Sequence, residues 1–496
     1  MMKVTIVSLI ALVAILSGSS EAVEKKVVCY YTNWSTYRPG LGKFTPNDID
    51  PTLCTHILYS FLVARDNKVT IHDDWIDVQN EYFNSVVAAK ERNPDLKVLM
   101  AVGGWNNGGA PFHEMAKTSN GRRTFIDSAI DLITTYKFDG VDLDWEYPGL
   151  RGGDPSVDKA NFILLIQEFQ RAFRRYGRQN GVPKPLLSAA VGPAPKTADI
   201  AYDKNVVCSE LDFVNLMQYD IHGAWDLETG YSAPMRNTIG ERTPENVLET
   251  TTQNWIDAGC SRDKLIFGMP LYGRGWTTSS TSVPAAATAP SSQGEFTRSA
   301  GILSYYEICE KLANGWNQRY NSDAEQAVAY GDGQLVTYDN ERSMKAKVDY
   351  INRMQLGGAM VWALDFDDFT GSFCNKGKYP LLKAINKRLG IAPKTTIQPP
   401  TTTTIAGCTR WWCPTKTTTG RTTARRTTAS PTTKVVPTTR PPTNGCEPVC
   451  TVSQHGRYLA DRCNDRKFYI CGHQLYSFMC PRRTTFNSRC SCCVSK

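Results

Sequence analysis

Three acidic side chains occupy every second position of one short, largely apolar stretch. Residues 138–149 read FDGVDLDWEYPG, and Asp142, Asp144 and Glu146 alternate there with apolar and aromatic residues. Residues two apart on a β-strand share a face, so each acid would lie about 7 Å from the next. Neighbouring carboxyls in a shielded site cannot all ionise, and at least one pKa rises. The pattern therefore favours a general acid that still carries its proton near neutral pH, as a glycosidic leaving oxygen requires.

Two other interpretations of the acids are weaker. A solvated polar face would not be interleaved with Val141, Leu143 and Trp145. A metal site needs several oxygens that converge on one ion, which a straight strand face provides poorly. We therefore expect no metal and no cofactor. Asp139 lies at odd spacing from the other acids, so we expect it on the opposite face in a structural role.

The acidic stretch is the fourth of eight β-like runs in residues 26–392. Those runs are 27–35, 55–62, 97–105, 138–147, 186–192, 212–220, 264–274 and 357–366. Apolar strands that alternate with amphipathic helices indicate a parallel sheet covered on both faces. Eight such units predict an α/β fold, a (β/α)8 TIM barrel, and the open doubly wound alternative lacks its Gly-rich phosphate loop. The long connection 275–356 predicts an inserted subdomain after strand seven, at the side of the cleft.

Three further regions differ from the barrel in composition. Residues 1–22 combine a basic start, a short apolar run and a small-residue site, which predicts a secretory signal peptide and a secreted, extracellular chain that begins near Val23. Residues 393–445 are rich in Thr and Pro and predict an extended, O-glycosylated linker. Residues 446–496 hold eight cysteines in 51 positions, which predicts a disulfide-stapled module.

Charge and hydropathy exclude two classes of partner. The formal net charge is +8, and eight basic residues without any acidic one lie in the Thr/Pro-rich segment, so the rest of the chain is close to neutral. No base-reading motif accompanies that diluted charge, which argues against nucleic-acid binding. After the N-terminal run, no segment reaches the roughly 20 apolar residues of a membrane span.

The stretch DGVDLDWEYPG also resembles the DGxDxDWEYP signature of family-18 glycoside hydrolases, the chitinases. Further runs resemble the other barrel-strand signatures of animal chitinases, in the same order: YYTNWSTYR, SFLVA, AVGGWN, NLMQYDIHGAW, GMPLYGRGW and GGAMVWALDFDD. The resemblance covers about residues 26–392. It implies a (β/α)8 barrel with an α+β insertion after strand seven, and a secreted enzyme whose partners are chitin and chitin oligosaccharides. We expect this enzyme to be a monomer.

The resemblance assigns the catalytic roles. It implies that Glu146 is the general acid and base, while the substrate's own N-acetyl carbonyl is the nucleophile. Asp144 would orient the acetamide, and Asp142 would share a proton with Asp144. Tyr219 would donate a hydrogen bond to the acetamide oxygen, supported by Asp220. The expected reaction is hydrolysis of β-1,4-linked N-acetylglucosamine polymers with retention of configuration.

The resemblance also implies a cleft lined by aromatic, sulfur-containing and charged side chains. Trp362 would form the floor beneath the reacting sugar, Trp105 and Trp225 neighbouring platforms, and Trp34 a more distal one. The other expected cleft residues are Tyr30, Phe61, Tyr147, Met217, Asp220, Tyr272, Arg274 and Met360, although the methionines could equally serve packing alone.

Cysteine positions extend the resemblance. Cys29 with Cys54, and Cys309 with Cys374, would form the two barrel disulfides of the family, whereas Cys208 and Cys260 are left either paired or free. The tail resembles the peritrophin-A-type chitin-binding domain at Cys463, Phe468, Tyr469, Cys471, Cys480, Pro481, Phe486 and Asn487. Its eight cysteines exceed the usual six, so the pairing stays open, and a structural knot without a ligand is the alternative.

Three functions share these features. The leading expectation is a secreted chitinase with a tethered chitin-binding module. A chitin-binding lectin of the same fold is the rival from another class, although such proteins typically lose the acid at the position of Glu146. An endoglycosidase acting on N-glycans would share the mechanism but would not explain the tail.

Overall fold

The computed structural model describes residues 24–391 in full and, in the C-terminal part, the backbone of five short strands. The predicted signal peptide, the predicted linker and the side chains of the predicted chitin-binding module lie outside the described residues. Within residues 24–391 the α-helices are α1 Tyr82–Val87, α2 Ala110–Ala116, α3 Ser119–Tyr136, α4 Asp158–Asn180, α5 Pro195–Ala201, α6 Lys204–Glu210, α7 Leu248–Asp257, α8 Tyr305–Ala313, α9 Glu341–Arg353 and α10 Pro380–Leu389.

The strands of the same region alternate with these helices over most of its length. They are β1 Lys26–Thr32, β2 His56–Arg65, β3 Lys68–Thr70, β4 Lys97–Gly103, β5 Gly140–Asp144, β6 Leu186–Val191, β7 Phe213–Leu216, β8 Leu265–Pro270, β9 Tyr272–Thr277, β10 Ala289–Pro290, β11 Ile302–Ser304, β12 Asn317–Asn321, β13 Gln326–Gly331, β14 Gln334–Tyr338 and β15 Gly358–Trp362. Eight of them form a closed parallel barrel in the order β1, β2, β4, β5, β6, β7, β8, β15, because β1 pairs with both β2 and β15. The predicted (β/α)8 fold is therefore confirmed.

The barrel strands are apolar on both faces because each face is covered. Along β1, Val27 and Tyr31 belong to the cluster that packs beneath the surrounding helices. Val28 and Tyr30 point the other way and join an interior cluster that includes Met360. This alternation is the pattern of a parallel barrel, in which inward side chains fill the interior and leave a site at the carboxyl ends of the strands.

An antiparallel sheet interrupts the barrel after β8. Strands β9 to β14 form that sheet, in which β9 pairs with β10, β11 and β14, and α8 follows β11. The sheet begins at Tyr272, and only Leu271 separates it from the end of β8 at Pro270. β8 therefore passes almost directly into the insertion. The chain then returns to the barrel through α9. The insertion is α+β, as predicted.

Three disulfides join parts of the barrel region. Cys29–Cys54 and Cys309–Cys374 are the two pairs expected from the resemblance, and Cys208–Cys260 is a third. The third pair links α6 to the third residue after the end of α7. No helix in residues 24–391 is both long and apolar enough to cross a lipid bilayer.

The C-terminal strands form two separate antiparallel groups. Strands β16 Tyr458–Ala460, β17 Lys467–Cys471 and β18 Leu475–Met479 make a three-stranded sheet, and β19 Thr484–Asn487 pairs with β20 Cys492–Ser495.

Candidate active site

The three acids Asp142, Asp144 and Glu146 lie in a row that runs from the barrel interior to the carboxyl ends of the strands. β5 ends at Asp144, so it is shorter than the predicted run 138–147, and Glu146 lies two residues beyond its end. The exposed fraction rises along the row, from 0% for Asp142 to 3% for Asp144 and 8% for Glu146. All three carboxyls are therefore shielded, and the outermost lies closest to solvent.

Asp142 is the deepest acid and is held by three donors. Tyr30 donates from its hydroxyl to Asp142 Oδ2 at 2.7 Å. Ser188 Oγ and Asn215 Nδ2 donate to Asp142 Oδ1 at 2.6 and 3.1 Å. Burial raises the pKa of Asp142 to about 6, although these hydrogen bonds oppose the rise. The base of the row is thus fixed in place from β1, β6 and β7.

Asp144 has no such support. Its Oδ1 atom is buried and has no hydrogen-bond partner among the described residues. Burial, followed by the charges of Glu146 and Asp142, raises its pKa well above the ordinary value. An unpartnered carboxyl oxygen in a shielded position is costly unless a proton or a ligand satisfies it. Asp144 is therefore available to a substrate group.

Glu146 is shielded and its pKa is raised. Burial raises its pKa to about 7, with Asp220 acting in the same direction and Tyr147 and Arg151 in the opposite one. A large part of the Glu146 population is consequently protonated near neutral pH. The sequence predicted that carboxyls of the row would raise a pKa. That effect falls on Asp144, whereas for Glu146 burial is the main cause and the carboxyl that adds to it is Asp220, outside the row.

A glycine allows β4 to approach the row closely. Gly103 ends β4 with φ +122°, and a Cβ atom there would lie 2.1 Å from the backbone oxygen of Asp144. Any other residue would push β4 away from β5 at this point. Gly104 N then donates to that same Asp144 oxygen at 2.9 Å, which secures the strand end that carries the acids.

Tyr219 stands beside the row, and its neighbour Asp220 is fully engaged. The Tyr219 hydroxyl lies 3.8 Å from Met360 Sδ, and burial together with the charges of Tyr272 and Asp144 raises its pKa. Asp220 accepts from the Tyr272 hydroxyl at 2.6 Å and from Arg274 Nε at 2.7 Å, and it also pairs with Arg274 Nη2. Tyr219 therefore keeps its hydroxyl proton and can donate a hydrogen bond near the acids, while Asp220 is held by Tyr272 and Arg274.

Aromatic rings build the floor of the cleft around Trp362. The rings of Trp362 and Tyr30 have centroids 5.1 Å apart, and Phe61 stacks on Trp362 at 5.7 Å with planes 23° apart. Trp34 stacks on Phe61 at 5.9 Å and is 41% exposed. The floor therefore extends without a break from the barrel interior to an exposed edge, as a stacking surface for sugar rings would.

Two exposed tryptophans carry arginines on their faces. The Arg151 guanidinium lies 3.5 Å from the ring centroid of Trp105, and that of Arg274 lies 4.9 Å from Trp225. Trp105 and Trp225 are 59% and 58% exposed. Arg151 also donates to the backbone oxygen of Glu146 at 3.3 Å. Each platform is thus tied to the acidic row or to Asp220 by a cation–π contact.

The remaining expected residues occupy the same region. Met360 is fully buried in the interior cluster, and Met217 packs partly buried against that cluster. Tyr147 follows Glu146 and is half-buried, with its ring over Gly192, where a Cβ atom would come within 2.8 Å of it. These residues lie in or beside the cleft at the carboxyl end of the barrel.

Asp139 lies at the opposite end of β5 and forms hydrogen bonds with neighbouring structural elements. Its Oδ2 atom accepts from Val98 N at 2.7 Å and from Lys90 Nζ at 3.0 Å. It therefore pairs with the start of β4 rather than with the cleft.

Sequence reasoning missed three residues of the site. Ser188 and Asn215 are fully buried polar residues within the apolar strands β6 and β7. A polar residue inside such a strand must find a partner in the barrel interior, and that signal could have identified both. Arg151 gave no signal, because its contacts with Trp105 and Glu146 depend on a loop that passes through positive φ at Arg151 itself.

No group of three or more His, Cys, Asp or Glu within the described part of the chain has an arrangement that could hold a metal ion.

Comparison with known proteins places this geometry in context. The profile for glycosyl hydrolases family 18 matches residues 26–367. Chitotriosidase-1 of Mus musculus is 35% identical over 483 residues, which cover 95% of this chain and 95% of that protein. A crystal structure of an immunomodulatory active chitinase from Trichuris suis matches with a TM-score of 0.71 at 40% identity and covers 74% of this chain and 100% of that one.

A pseudo-chitinase structure resembles this chain about as closely as the chitinase structure does. Human YKL-39, described as a pseudo-chitinase with retained chitooligosaccharide binding, has a TM-score of 0.69 at 37% identity and covers 74% of this chain and 100% of that one. Overall similarity therefore does not separate hydrolysis from binding, and the residues of the site must do so.

Proposed function

This chain belongs to glycosyl hydrolase family 18 and is a chitinase-type glycoside hydrolase, and from that premise we propose a retaining, substrate-assisted reaction on chitin. Glu146 is the general acid and base, and the substrate is a β-1,4-linked polymer of N-acetylglucosamine. The observation that carries the proposal is the graded row of acids, with Glu146 at its exposed end and its pKa raised to about 7.

In the first step Glu146 gives its proton to the glycosidic oxygen while the bond from that oxygen to the anomeric carbon breaks. The carbonyl oxygen of the substrate's own acetamide forms a bond to the anomeric carbon, which produces an oxazolinium ion, and the shortened sugar chain leaves as an alcohol. In the second step water attacks the anomeric carbon, the Glu146 carboxylate takes its proton, and the ring opens to restore the acetamide. Two inversions at one carbon give net retention.

The other acids serve the acetamide. Asp144 has a buried, unpartnered oxygen and accepts the acetamide N–H, while its negative charge stabilises the oxazolinium ion. Asp142 retains its three donors and shares a proton with Asp144 as the charge of the site changes. Tyr219 donates to the acetamide oxygen.

A nucleophile supplied by the substrate fits the state of the neighbouring carboxylates. A protein nucleophile would be a free carboxylate about 5 Å from the acid. Asp220, the nearby acid outside the row, is bound by Arg274 and Tyr272. Asp142 is fully buried below Asp144 in the row. Asp144 is unpartnered, but burial and the charges of Glu146 and Asp142 raise its pKa well above the ordinary value, and a protonated carboxyl is a poor nucleophile.

The test is the dependence on the acetyl group. Full-length protein is incubated with N-acetylglucosamine hexamer, with the matched fully deacetylated hexamer and with an N-glycoprotein, and products are analysed by mass spectrometry and by NMR of the new anomeric centre. We expect cleavage of the acetylated hexamer to β-anomeric products and no cleavage of the deacetylated one. Cleavage of both hexamers at similar rates would overturn substrate assistance, and cleavage of the glycoprotein alone would identify an endoglycosidase.

A lectin is the second candidate, because human YKL-39, a described pseudo-chitinase that binds chitooligosaccharides, is as similar in fold as the active enzymes. The aromatic floor around Trp362 would serve binding alone equally well. Tight hexamer binding by the wild-type protein without any product would identify this second function.

We also propose that the chain is secreted and acts as a monomer, with the C-terminal module binding chitin. Three disulfides in the barrel region support an oxidising compartment. The module would raise the effective concentration of the barrel at an insoluble surface. Removal of residues 446–496 should lower binding to insoluble chitin and leave hydrolysis of soluble hexamer unchanged.

A further inference from the structure

We infer that His222 is a positioning residue that clamps the loop of residues 217–247, here called the Trp225 loop, and thereby holds the Trp225 platform in place for the sugar. This inference rests on the proposed function, because it concerns sugar binding in the same cleft. His222 forms its hydrogen bonds and ion pairs within the Trp225 loop, and it acts on the cleft through those partners.

The imidazole of His222 is held from both sides by carboxylates of the same loop. Its Nδ1 atom lies 2.9 Å from Asp226 Oδ2, and its Nε2 atom lies 2.8 Å from Glu241 Oε1. The side chains of His222 and Glu241 are only 5% and 2% exposed, so solvent screens this second contact weakly. Both nitrogens donate at once only when the imidazole is protonated.

The clamp lies immediately next to Trp225 in the chain. Asp226 is the residue after Trp225, and it also accepts from Gly223 N at 3.4 Å. The Trp225 ring folds back over Gly223, where a Cβ atom would come within 2.3 Å of it. Trp276 of the inserted sheet donates from Nε1 to the backbone oxygen of Gly223 at 3.1 Å. The turn that aims Trp225 is thus fixed by His222 through Asp226 and by β9 through Trp276.

Arg274 holds the Trp225 loop from the other side of the Trp225 ring. Arg274 contacts the Trp225 ring at 4.9 Å and binds Asp220, which follows Tyr219 in the chain. The segment from Tyr219 to Asp226 is consequently held at one end by Arg274 and at the other by His222. Loss of the His222 clamp would loosen the Trp225 end, which would keep only the Trp276 hydrogen bond to Gly223 and the Arg274 contact with the ring, while the Asp220 end stays anchored.

Two carboxylates and one guanidinium face the imidazole. Asp226 and Glu241 favour its protonated form, whereas Arg242, whose Nη2 atom lies 3.4 Å from His222 Nδ1, opposes it. The charge of Arg242 is partly offset by Asp226 at 3.7 Å and by Glu228 at 2.5 Å. Burial alone would lower the pKa of His222, but Glu241 and Asp226 raise it above the ordinary value. Burial likewise acts to raise the pKa of Glu241, yet His222 and Thr243 lower it to about 2.

The packing leaves little room for a neutral, reoriented ring. A Cβ atom on Gly230 would lie 2.3 Å from Cγ of His222, so the ring lies directly against the backbone there. Deprotonation above the raised pKa removes one of the two donated hydrogen bonds and leaves two carboxylates on either side of a neutral ring. The loop should therefore loosen as the pH rises through that value.

The experiment measures hexamer binding in the Glu146→Gln background, where hydrolysis cannot interfere. Dissociation constants are determined by calorimetry from pH 5 to 9 for the parent, for His222→Gln, for Glu241→Gln and for the exposed control His72→Asn. We expect His222→Gln to weaken binding about three- to tenfold at pH 6 and to abolish the loss of affinity that the parent shows at high pH. Glu241→Gln should move that loss to lower pH, and His72→Asn should change neither.

Trp225→Ala shows whether His222 acts through the platform. His222→Gln added to Trp225→Ala should weaken binding no further, because the platform it positions is gone. An unchanged affinity and pH profile in His222→Gln, or full additivity with Trp225→Ala, would overturn the inference. Should His222→Gln fail to fold, the shift expected in Glu241→Gln decides the question. A parent that binds no hexamer at all would refute the proposed function itself, and a parent that binds while these variants behave as controls refutes only the clamp.

Discussion

The Tyr30 hydroxyl donates a 2.7 Å hydrogen bond to Asp142 Oδ2 and so joins the first barrel strand to the bottom of the carboxyl row. Both residues are buried, and Tyr30 at the same time packs its ring against Trp362 in the cleft floor. One side chain thus sets the position of an acid and of the surface on which a sugar would rest.

Tyr30→Phe should weaken the base of the row without changing the floor. The ring and its contact with Trp362 remain, while Asp142 loses one of three donors. A lost hydrogen bond to a buried, partly charged group costs about 1–3 kcal/mol. Urea unfolding followed by tryptophan fluorescence should show a lower free energy of unfolding, and hexamer affinity should stay near the wild-type value. A large loss of affinity with unchanged stability would contradict this division of roles.

Activity should fall as the pH rises through about 7. Glu146 acts as an acid only when protonated, and burial raises its pKa to about 7. The protonated fraction therefore decreases above that pH, and kcat/KM reports this in the free enzyme. The positive charge of Arg151 lowers the Glu146 pKa, so Arg151→Met should move the basic limb of the profile to higher pH. Arg123→Met, on the exposed side of α3, should leave the limb where it is, and a limb unmoved by Arg151→Met would show that this charge does not act on Glu146.

Arg274→Lys should weaken substrate binding although the charge is kept. Arg274 holds Asp220 through both Nε and Nη2 and also contacts the Trp225 ring. Lysine cannot reproduce the two-pronged contact or the planar contact with the ring. We expect KM for the hexamer to rise about tenfold with a smaller change in kcat. Arg298→Lys, an exposed change in the same inserted region, is the control, and equal effects in the two variants would contradict a specific role.

Asp139→Asn should reduce stability and spare catalysis, although Asp139 belongs to the same motif as the catalytic acids. It binds Val98 N and Lys90 Nζ at the far end of β5. Loss of its charge should lower the free energy of unfolding by about 1 kcal/mol. A fall in kcat/KM of more than about tenfold would refute the parity argument that separated it from the row.

The sequence predicted the barrel and the row of acids because both depend on local periodicity. Eight apolar runs predicted eight strands, and the spacing of Asp142, Asp144 and Glu146 predicted that their side chains share one face of a strand. The strand itself ends at Asp144, which the apolar character of Trp145 and Tyr147 concealed. Trp145 packs between the barrel and the helices, against Phe112 of α2 and Phe162 of α4, and Tyr147 lies beside Gly192 at the cleft, so neither extends the sheet.

Contacts between distant elements could not be predicted in this way. Cys208 and Cys260 pair because α6 lies next to the segment that follows α7, a proximity that no spacing encodes. Arg151 reaches Trp105 only through a loop between β5 and α4. The His222 clamp depends on Glu241, which lies 19 residues away in the same loop.

The most direct test of the account is hexamer hydrolysis by Glu146→Gln, with binding measured in parallel. The substitution keeps the size of the side chain and removes its proton-donating carboxyl. We expect kcat to fall by about 100-fold or more, while the dissociation constant for the hexamer stays within a few-fold of that of the wild type. Hydrolysis by Glu146→Gln at the wild-type rate would contradict the assignment of Glu146 as the general acid.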